Sequence, residues 1–483
     1  MAAFRPIFFI VGILISTMGL AMIVPALADA VAGNRDWVTF AVSSASAIFI
    51  GGLLILGSLG SPIHLSLRQA FLLTTLSWIS LSAIGALPLV FSELGLSYTD
   101  AFFEAISGLT TTGSTVLSGL DHMPPGILLW RAMLQWLGGV GIIVMAIAIL
   151  PFLRVGGMQL FRMESSDRSE KALPRAAQVA SATSVAYVVL TLACAGAYSG
   201  AGMTGFEAVA HAMTTVSTGG YSTSDGSLGH FTNPAIHWIA ILFMVLGALP
   251  FVIYIQAAHG KRGIIWKNSQ VRRFLAGMGL VVLTLAVWLW SGHEMGPLDA
   301  LRLAAFNVIS VVTTTGYATT DYGQWGAFAV LAFFFLTFLG GCTGSTSGGI
   351  KTLRFELAAV VIRNQFQRLY QPHGVFAISY KGQTLSEDVA RSAMTFIFVF
   401  ILAFGLLAIA LAALGLDFIT AASGAATALA NVGPGLGDVI GPAGNFSTLP
   451  DAAKWLLSAG MLMGRLEFLT VLVVLNPAFW RDW

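Results

Sequence analysis

Threonine and glycine recur in a short stretch that this sequence uses three times, with a weaker fourth version. The stretches are TTTGS at 110–114, VSTGG at 216–220, TTTGY at 313–317 and NVGP at 431–434. Their glycines at 113, 219, 316 and 433 are separated by 106, 97 and 117 residues. A unit used four times in one chain predicts four structural repeats around a common axis.

Backbone carbonyls and threonine hydroxyls are the chemistry that these stretches can supply. A cation that leaves water needs oxygen ligands in place of its hydration shell, and rings of backbone carbonyls can provide them. Successive carbonyls face one axis when positive φ angles alternate along the chain, and glycine adopts such angles at low cost. We therefore predict one ring of cation-binding residues: Thr111, Thr112, Gly113, Ser217, Thr218, Gly219, Thr314, Thr315, Gly316, Asn431, Val432 and Gly433.

The fourth stretch makes this ring chemically asymmetric. Val432 stands where the other copies have threonine, and Pro434 follows Gly433. A single stretch of this kind could simply cap a helix. Four copies, each lying between two long apolar segments, favour the ring instead.

Composition requires a membrane environment for these stretches. The chain has 483 residues, of which 56% are hydrophobic and only 10% are charged, and its mean hydropathy is +0.83. Soluble domains carry about 25% charged residues, so we predict an all-α integral membrane protein. The net charge of +2 points to no particular partner, and Cys194 and Cys342 have no metal-ligand spacing.

About 20 apolar residues are needed for a helix to cross the bilayer, and the sequence offers ten such spans. The predicted spans are 7–27, 37–59, 70–92, 127–152, 180–200, 235–257, 274–292, 325–350, 391–415 and 453–475. The first resembles a signal peptide because an Ala-Leu-Ala motif ends it. Its apolar run is longer than a signal core and a second span follows at once, so we expect it to be retained.

Between the paired spans lie four apolar segments that are too short to cross: 99–109, 204–214, 298–311 and 418–429. A short helix that enters and turns back fits them. Non-helical backbone at membrane depth is tolerated where it is buried in protein or lines a watery cavity, which favours a pore. The predicted units are two N-terminal transmembrane helices at 1–66 and pore repeats at 67–170, 171–268, 269–380 and 381–483.

Basic residues predict the orientation of the chain. With the N-terminus inside, 19 of the 24 Lys and Arg residues fall in inner segments, which is a strong positive-inside bias. The exceptions are Arg35, Arg131, Arg302 and Lys454 on the outer side and Arg465 within a span. All four short helices then enter from the outer side.

Acidic residues show the opposite bias, since fourteen of 22 fall outside. An acidic mouth raises the local cation concentration. The alternative is that these residues cap helices or are solvated loop charges, and Asp299 and Asp417 stand where a cap would. The outer group includes Asp100, Glu104, Asp121, Glu207, Asp225, Glu294, Asp299, Asp321, Asp417, Asp438 and Asp451.

A glycine-rich loop interrupts the second span of the third repeat at 340–351, GGCTGSTSGGIK. Each glycine costs a helix about 1 kcal/mol relative to alanine, so we predict a broken helix beside a cavity. Phosphate binding is not favoured, because the loop lacks Walker spacing and a preceding strand. A plain helix break is the simpler alternative.

Arg465 lies inside the last predicted span, where an unpaired arginine costs on the order of 2.5–3.5 kcal/mol. Glu467 is two residues further on and therefore points to a different helix face. We expect Arg465 to face the pore rather than to pair with Glu467.

Four span pairs that bracket short helices, together with the motifs TTTGST, STGGYS, TTTGYATT and NVGPG, resemble the Trk/Ktr/HKT superfamily of cation channels and transporters. The two additional spans at the front are similar to the bacterial TrkH branch of that superfamily. The resemblance covers essentially the whole chain.

The resemblance implies four potassium-channel-like quarters around one pore, and a homodimer with two separate pores. Glycine at all four filter positions, as at Gly113 here, implies potassium permeation. It also implies that an intramembrane loop gates the pore and that an arginine of the last span holds this loop. Carried over, the gate comprises Gly344, Ser345, Thr346, Ser347, Gly348, Gly349 and Arg465.

The resemblance further implies a cytosolic TrkA-like nucleotide-binding ring as a partner, with docking expected near 154–175, 259–273 and 351–381. The basic loops there could instead serve only to set topology. K⁺ is then the permeant ion at the filter residues, no organic cofactor belongs to this chain, and its surroundings are lipid of a bacterial inner membrane. No nucleic-acid partner is expected.

Two other function classes are open to this sequence. A secondary transporter that symports K⁺ with H⁺ or Na⁺ would need ionisable residues at mid-membrane, and few are present besides Arg465 and Glu467. A membrane enzyme would need a nucleophile or a metal set, whereas the eight histidines are scattered without an HExxH pattern. We predict that the protein is not an enzyme.

Overall fold

The computed structural model describes residues 4–60, 65–148, 172–260, 263–292, 295–374, 376, 379–380, 383–384 and 387–481. Within these ranges the chain is almost entirely helical. The helices of the first half are α1 Arg5–Ala21, α2 Ile23–Ala32, α3 Asp36–Ser58, α4 Leu67–Gly85, α5 Leu87–Phe91, α6 Tyr98–Leu109, α7 Pro125–Ala148, α8 Ala172–Gly200, α9 Gly205–Val216, α10 Pro234–Ala248 and α11 Phe251–Ala258.

The second half continues this pattern with two very short strand pairs. Its helices are α12 Ile264–Lys267, α13 Ser269–Gly292, α14 Pro297–Val312, α15 Ala327–Leu336, α16 Thr352–Tyr370, α17 Glu387–Ala413, α18 Phe418–Ala430, α19 Gly437–Ile440, α20 Asp451–Arg465, α21 Phe468–Leu475 and α22 Pro477–Trp480. The strands are β1 Leu339–Gly340, parallel to β2 Ile350–Lys351, and β3 Ser379–Tyr380, antiparallel to β4 Gln383–Thr384. Short 3-10 turns lie at Leu120–His122, Ser227–His230 and Tyr322–Gln324.

Four short helices, here called the pore helices, are α6, α9, α14 and α18. They confirm the four predicted re-entrant segments to within two residues at each end. Polar residues start three of them: Ser97 and Thr204 accept from the backbone N–H three residues on, and Asp417 accepts from Ile419 and Thr420. Such side chains satisfy N–H groups that a helix start leaves unpaired.

Each pore helix lies between a first and a second long helix of its repeat. It packs against the first, as α14 does on α13 and α18 on α17, and against the second, as α6 does on α7 and α18 on α20. Neighbouring repeats also touch, because α7 packs on the next pore helix, α9, and α20 packs on α6. The N-terminal helices α1 and α3 form a hairpin that packs on α4.

Membrane-crossing helices of sufficient length and hydropathy number seven among the described residues, or nine if two bent pairs each count as one span. The chain turns by 92° between α10 and α11 and by 116° between α20 and α21. The predicted span 325–350, the eighth of the ten, is not one helix: α15 ends at Leu336 and the chain leaves helical structure before α16 begins. The sequence predicted this last break but not the other two.

One glycine recurs at the same distance from the start of the second helix in every repeat, although in the third repeat it lies beyond the helix end, in β1. Each lies thirteen residues beyond the first residue of that helix: 125 to 138, 234 to 247, 327 to 340 and 451 to 464. A Cβ atom on Gly138 would lie 1.8 Å from the carbonyl oxygen of Leu109, and one on Gly464 would lie 2.1 Å from that of Leu429. These glycines therefore let the second helix touch the C-terminal end of its pore helix.

Candidate functional site

The four threonine-glycine stretches share one backbone conformation. Thr111, Thr218, Thr314 and Asn431 all have φ between 53° and 60°, a left-handed conformation that is uncommon for residues other than glycine. The next residue but one is a glycine in every copy, and three of these four glycines also have positive φ: Gly113 (87°), Gly220 (79°) and Gly316 (84°). This alternation is what carbonyls need in order to face one axis.

Hydrogen bonds within each repeat fix the alignment of the copies. Four backbone N–H groups each donate to the carbonyl five residues earlier, near the end of the pore helix: Thr112 to Ser107, Gly219 to Thr214, Thr315 to Ser310 and Val432 to Thr427. Gly219 is thus the counterpart of Thr112, and Gly220 is the counterpart of Gly113. The sequence alignment, which matched Gly219 to Gly113, was off by one residue, because the second copy contains two consecutive glycines.

The four aligned glycines form a closed cycle. A Cβ atom on Gly113 would lie 2.1 Å from the carbonyl oxygen of Gly219, and one on Gly220 would lie 1.9 Å from that of Thr315. A Cβ on Gly316 would meet the backbone nitrogen of Gly433 at 2.7 Å, and one on Gly433 would meet the carbonyl oxygen of Gly113 at 3.0 Å. Each repeat therefore touches the next around one axis, at a spacing that a side chain would prevent.

Threonine hydroxyls at this site do not all face the same way. The hydroxyls of Thr112 and Thr315 lie 2.7 and 2.8 Å from those of Thr110 and Thr313, at the ends of their own pore helices. Asn431 also donates to the Thr112 hydroxyl at 3.1 Å. The oxygen chemistry that these residues offer toward the axis is therefore carried by backbone carbonyls.

The glycine-rich loop lies directly against the positive-φ residues. The Thr218 hydroxyl donates to that of Thr346 at 3.1 Å, and the Gly348 N–H donates to the Thr314 hydroxyl at 2.7 Å. A Cβ on Gly348 would lie 2.4 Å from the carbonyl oxygen of Ala430. The loop thus contacts the second, third and fourth repeats at the same level.

Pairing of β1 with β2 closes this loop at its base, at Leu339 with Ile350 and Gly340 with Lys351. The Thr346 hydroxyl donates to the carbonyls of Gly247 and Val216, at 3.0 and 3.1 Å. The broken helix beside a cavity that the sequence predicts is therefore present in the structure.

Arg465 is buried, and its guanidinium donates to the Thr346 carbonyl at 2.8 Å and to the Gly138 carbonyl at 3.4 Å. Glu467 pairs instead with Arg354, at 2.7 Å. Among the described residues Arg465 has no carboxylate partner, as the sequence predicted. Beneath the loop is a cavity of about 80 Å³ whose lining includes Lys351, Arg354, Arg465 and Glu467.

On the opposite side of the glycine cycle lies a vestibule of about 210 Å³. Its lining includes all four aligned glycines and the segments that follow them. The ring of backbone oxygens therefore lies between two cavities, with the loop closing the side that faces the cationic residues.

Several residues that the sequence did not single out hold this ring in place. Tyr221 donates through its hydroxyl to the carbonyls of Glu104 and Ser114, at 2.9 and 3.1 Å. Tyr317 occupies the matching position one repeat later, and its hydroxyl contacts the Thr214 hydroxyl at 2.5 Å and the His211 carbonyl at 3.2 Å. Each tyrosine thus ties its own repeat to the preceding pore helix.

Glu104 and Arg131 form a buried ion pair of 2.8 Å. The carboxylate also accepts from the Val116 N–H at 2.9 Å, and the guanidinium donates to the Ser222 carbonyl at 2.9 Å. Neither residue is a solvated outer charge, which was one reading of the sequence. Their spacing of 27 residues across two helices gave no local signal for the pair.

Two predicted caps have different outcomes. Asp417 caps α18 as expected, and hydrogen bonds from Thr420 and Ile419 hold the pKa of its carboxyl below the ordinary value of 3.8. The prediction for Asp299 was wrong: Gly296 precedes α14, and Asp299 pairs with Arg302 at 2.8 Å instead. Pro297 begins that helix, and proline needs no N–H partner at this position.

Comparison with known proteins agrees with this architecture. Residues 38–481 match the family model described as TrkH, cation transport protein. The chain belongs to the TrkH family. It is 49% identical to the Trk system potassium uptake protein TrkI of Halomonas elongata, over 99% of this chain and 97% of that one. It is 39% identical to TrkH of Vibrio parahaemolyticus, over 99% of this chain and all of that one.

The TrkH fold is also shared in three dimensions. The crystal structure of the potassium transporter TrkH from Vibrio parahaemolyticus superposes with a TM-score of 0.92 at 37% identity, covering 99% of this chain and 100% of that chain. The predicted family and the predicted all-α membrane fold are therefore confirmed.

Proposed function

We propose that this TrkH-family chain takes up K⁺ across a bacterial inner membrane through a selectivity filter of backbone carbonyls. The cycle of Gly113, Gly220, Gly316 and Gly433 carries the proposal, because three of these glycines leave no room for a Cβ where they contact the next repeat and Gly433 leaves little. Relatives named as potassium uptake proteins support K⁺ as the ion.

The filter consists of the twelve residues named from the sequence, with Gly220 added by the structural alignment. Their carbonyls replace the hydration shell of a dehydrating K⁺ ion. Buried pore helices direct their negative C-terminal ends at the ion. Uptake follows the ion gradient and the membrane potential, and no bound organic cofactor is needed.

Residues 344–349 and Arg465 form the gate in this proposal. The loop contacts the filter base at Thr218 and Thr314, and Arg465 holds Thr346 from the fourth repeat. A cationic latch below a cation filter also raises the electrostatic barrier to a passing cation. Movement of the loop away from the filter would then open the pore.

Regulation and assembly follow the family expectation. The chain would form a homodimer with one pore per protomer, oriented with its N-terminus in the cytoplasm. A cytosolic TrkA-like nucleotide-binding ring would dock on the inner surface near 154–175, 259–273 and 351–381. Of these ranges, 154–171, 261–262, 375, 377–378 and 381 lie outside the described residues. The unit boundaries given from the sequence remain part of this proposal.

Purified protein in liposomes tests the function directly. With a K⁺ gradient we expect rubidium uptake and a reversal potential that follows the K⁺ equilibrium potential. The competing hypothesis, symport with H⁺ or Na⁺, predicts that this potential shifts when pH or the Na⁺ gradient is changed at constant K⁺. If folded protein that has been reconstituted into liposomes shows no K⁺-dependent flux, both hypotheses are refuted.

A further inference from the structure

Gln135 lies on α7, in the first repeat, yet its side chain reaches the filter of the second repeat. It is fully buried, its Nε2 donates to the Gly219 carbonyl at 2.6 Å, and its Oε1 accepts from the Tyr221 N–H at 3.0 Å. One partner is an acceptor and the other a donor, so only one orientation of the amide satisfies both. The glutamine therefore fixes two backbone groups of the filter at once.

The amide fills space that glycine leaves empty. A Cβ on Gly219 would lie 2.3 Å from the Gln135 Cδ. At the matching positions Thr112 and Thr315 carry their own side chains, and their hydroxyls bond to the ends of their pore helices. The second copy has no such side chain, and Gln135 takes over its place from outside the repeat.

In the other three repeats, the side chain at the equivalent position of the second helix does not bond to a carbonyl of the proposed filter. Ten residues beyond the helix start lie Gln135, Met244, Thr337 and Met461. The Thr337 hydroxyl donates to the carbonyl of Phe333 in its own helix, at 2.9 Å. Among the described residues this contact is thus specific to the second quarter of the ring.

A carbonyl that accepts a strong hydrogen bond presents a weaker field to a cation, because one of its two lone pairs is engaged. Selectivity between K⁺ and Na⁺ depends on the number and field strength of the coordinating carbonyls. The smaller, more strongly hydrated Na⁺ needs the stronger field, so donation from Gln135 disfavours Na⁺. The hydrogen bond from Gln135 also fixes the orientation of the Gly219 carbonyl, and this likewise disfavours Na⁺.

We propose that Gln135 is a specificity-determining positioning residue, whose side-chain amide holds the Gly219 carbonyl and the Tyr221 N–H and thereby sets discrimination between K⁺ and Na⁺. This inference rests on the proposed function, because it assumes that the ring is the conduction path. It assigns to one side chain of the first repeat a role in the filter of the second.

The test compares Gln135→Met and Gln135→Glu with the unmodified protein in planar bilayers. Methionine keeps the volume and removes both hydrogen bonds. A glutamate at this buried position is neutral, because a carboxylate would face the Gly219 carbonyl oxygen without a proton between them. The neutral acid donates to Gly219 and accepts from Tyr221, as the amide does. The K⁺ to Na⁺ permeability ratio, from bi-ionic reversal potentials, should fall about tenfold in Gln135→Met. In Gln135→Glu it should stay close to the original value, because the neutral acid keeps both hydrogen bonds.

Thr337→Val is the matched control, since it alters the equivalent helix position without touching a filter carbonyl. Its permeability ratio should equal that of the unmodified protein. An unchanged ratio in Gln135→Met, or an equal fall in Gln135→Glu or in Thr337→Val, would overturn the role of Gln135 while leaving K⁺ permeation intact. Lack of K⁺ current in the unmodified protein would instead refute the proposed function and, with it, this inference.

Discussion

Arg465 at the end of α20 and Thr346 in the glycine-rich loop are joined by a hydrogen bond of 2.8 Å between guanidinium and carbonyl. The two residues are 119 positions apart and belong to different repeats. The Thr346 hydroxyl meanwhile donates to Gly247 and Val216 of the second repeat. Three repeats thus meet at one loop residue next to the glycine cycle, which is the proposed filter.

Removing this guanidinium should weaken the closed position of the loop. We expect Arg465→Ala to raise rubidium uptake into liposomes several-fold, because a charge-assisted hydrogen bond worth about 1.5–3 kcal/mol is lost together with a positive charge. Arg391→Ala, which removes an exposed arginine, serves as the control and should leave uptake unchanged. Equal uptake in all three proteins would argue against the latch.

Gly113 should be intolerant of any side chain, since its φ is 87° and a Cβ would lie 2.1 Å from the Gly219 carbonyl. Gly113→Ser should therefore lower the K⁺ to Na⁺ permeability ratio by about tenfold, equivalent to about 1.4 kcal/mol. Bi-ionic reversal potentials measure this ratio. Gly196→Ser, at a helical glycine with no neighbouring atom within 4 Å of its would-be Cβ, should keep the original value.

The buried pair of Glu104 and Arg131 should contribute strongly to stability. Glu104→Gln leaves the guanidinium without its carboxylate, and breaking a buried pair in this way costs about 3–5 kcal/mol. Thermal unfolding in detergent should show a clear decrease in Tm. Asp299→Asn removes the partner of Arg302 from a pair whose carboxylate side chain is 62% exposed, for which about 0–1 kcal/mol is expected. Similar losses in the two variants would contradict the structural role of the buried pair.

Asp417 should make the start of α18 sensitive to acid. Because its pKa is lowered in the folded protein, its contribution to stability is present above the ordinary value of 3.8 and is lost as pH falls through the folded value. Asp417→Ala should lose about 1 kcal/mol of capping at neutral pH. Asp417→Asn should keep most of it.

Unfolding followed from pH 7 to pH 2.5 distinguishes these variants. The difference in Tm between the unmodified protein and Asp417→Asn should change only below about pH 4. A difference that is constant over the whole range would mean that the carboxylate charge does not contribute to the cap.

Local patterns in the sequence were enough to place the pore helices and the glycine-rich loop. Apolar segments too short to cross, each followed by threonine and glycine, located α6, α9, α14 and α18, because pore-helix length and filter chemistry are both encoded locally. The glycine density of 340–349 predicted the broken helix for the same reason. The lone arginine at 465 was recognisable because a charge inside an apolar span is costly.

Long-range contacts were beyond the reach of those patterns. The filter alignment of the second copy depends on which N–H donates to the Thr214 carbonyl, and two adjacent glycines leave the sequence ambiguous. Gln135 and Arg131 lie on an ordinary-looking apolar helix, and their roles arise only because α7 packs against the next repeat. The bend after Ala248 does have a local cause, because Pro250 lies between the two helices and cannot continue the first. Only the structure shows that the Phe251 N–H beyond this proline donates to the Gly344 carbonyl of the loop, at 3.0 Å.

The sequence by itself determined that the protein is an all-helical membrane protein with four filter-like repeats, because hydropathy and glycine placement act within short segments. Only the tertiary structure decided which glycines complete the ring, which side chains hold its carbonyls and where the loop lies. These three features depend on how closely backbones from different repeats approach each other. Packing between the repeats sets those distances, and a short stretch of sequence does not contain that information.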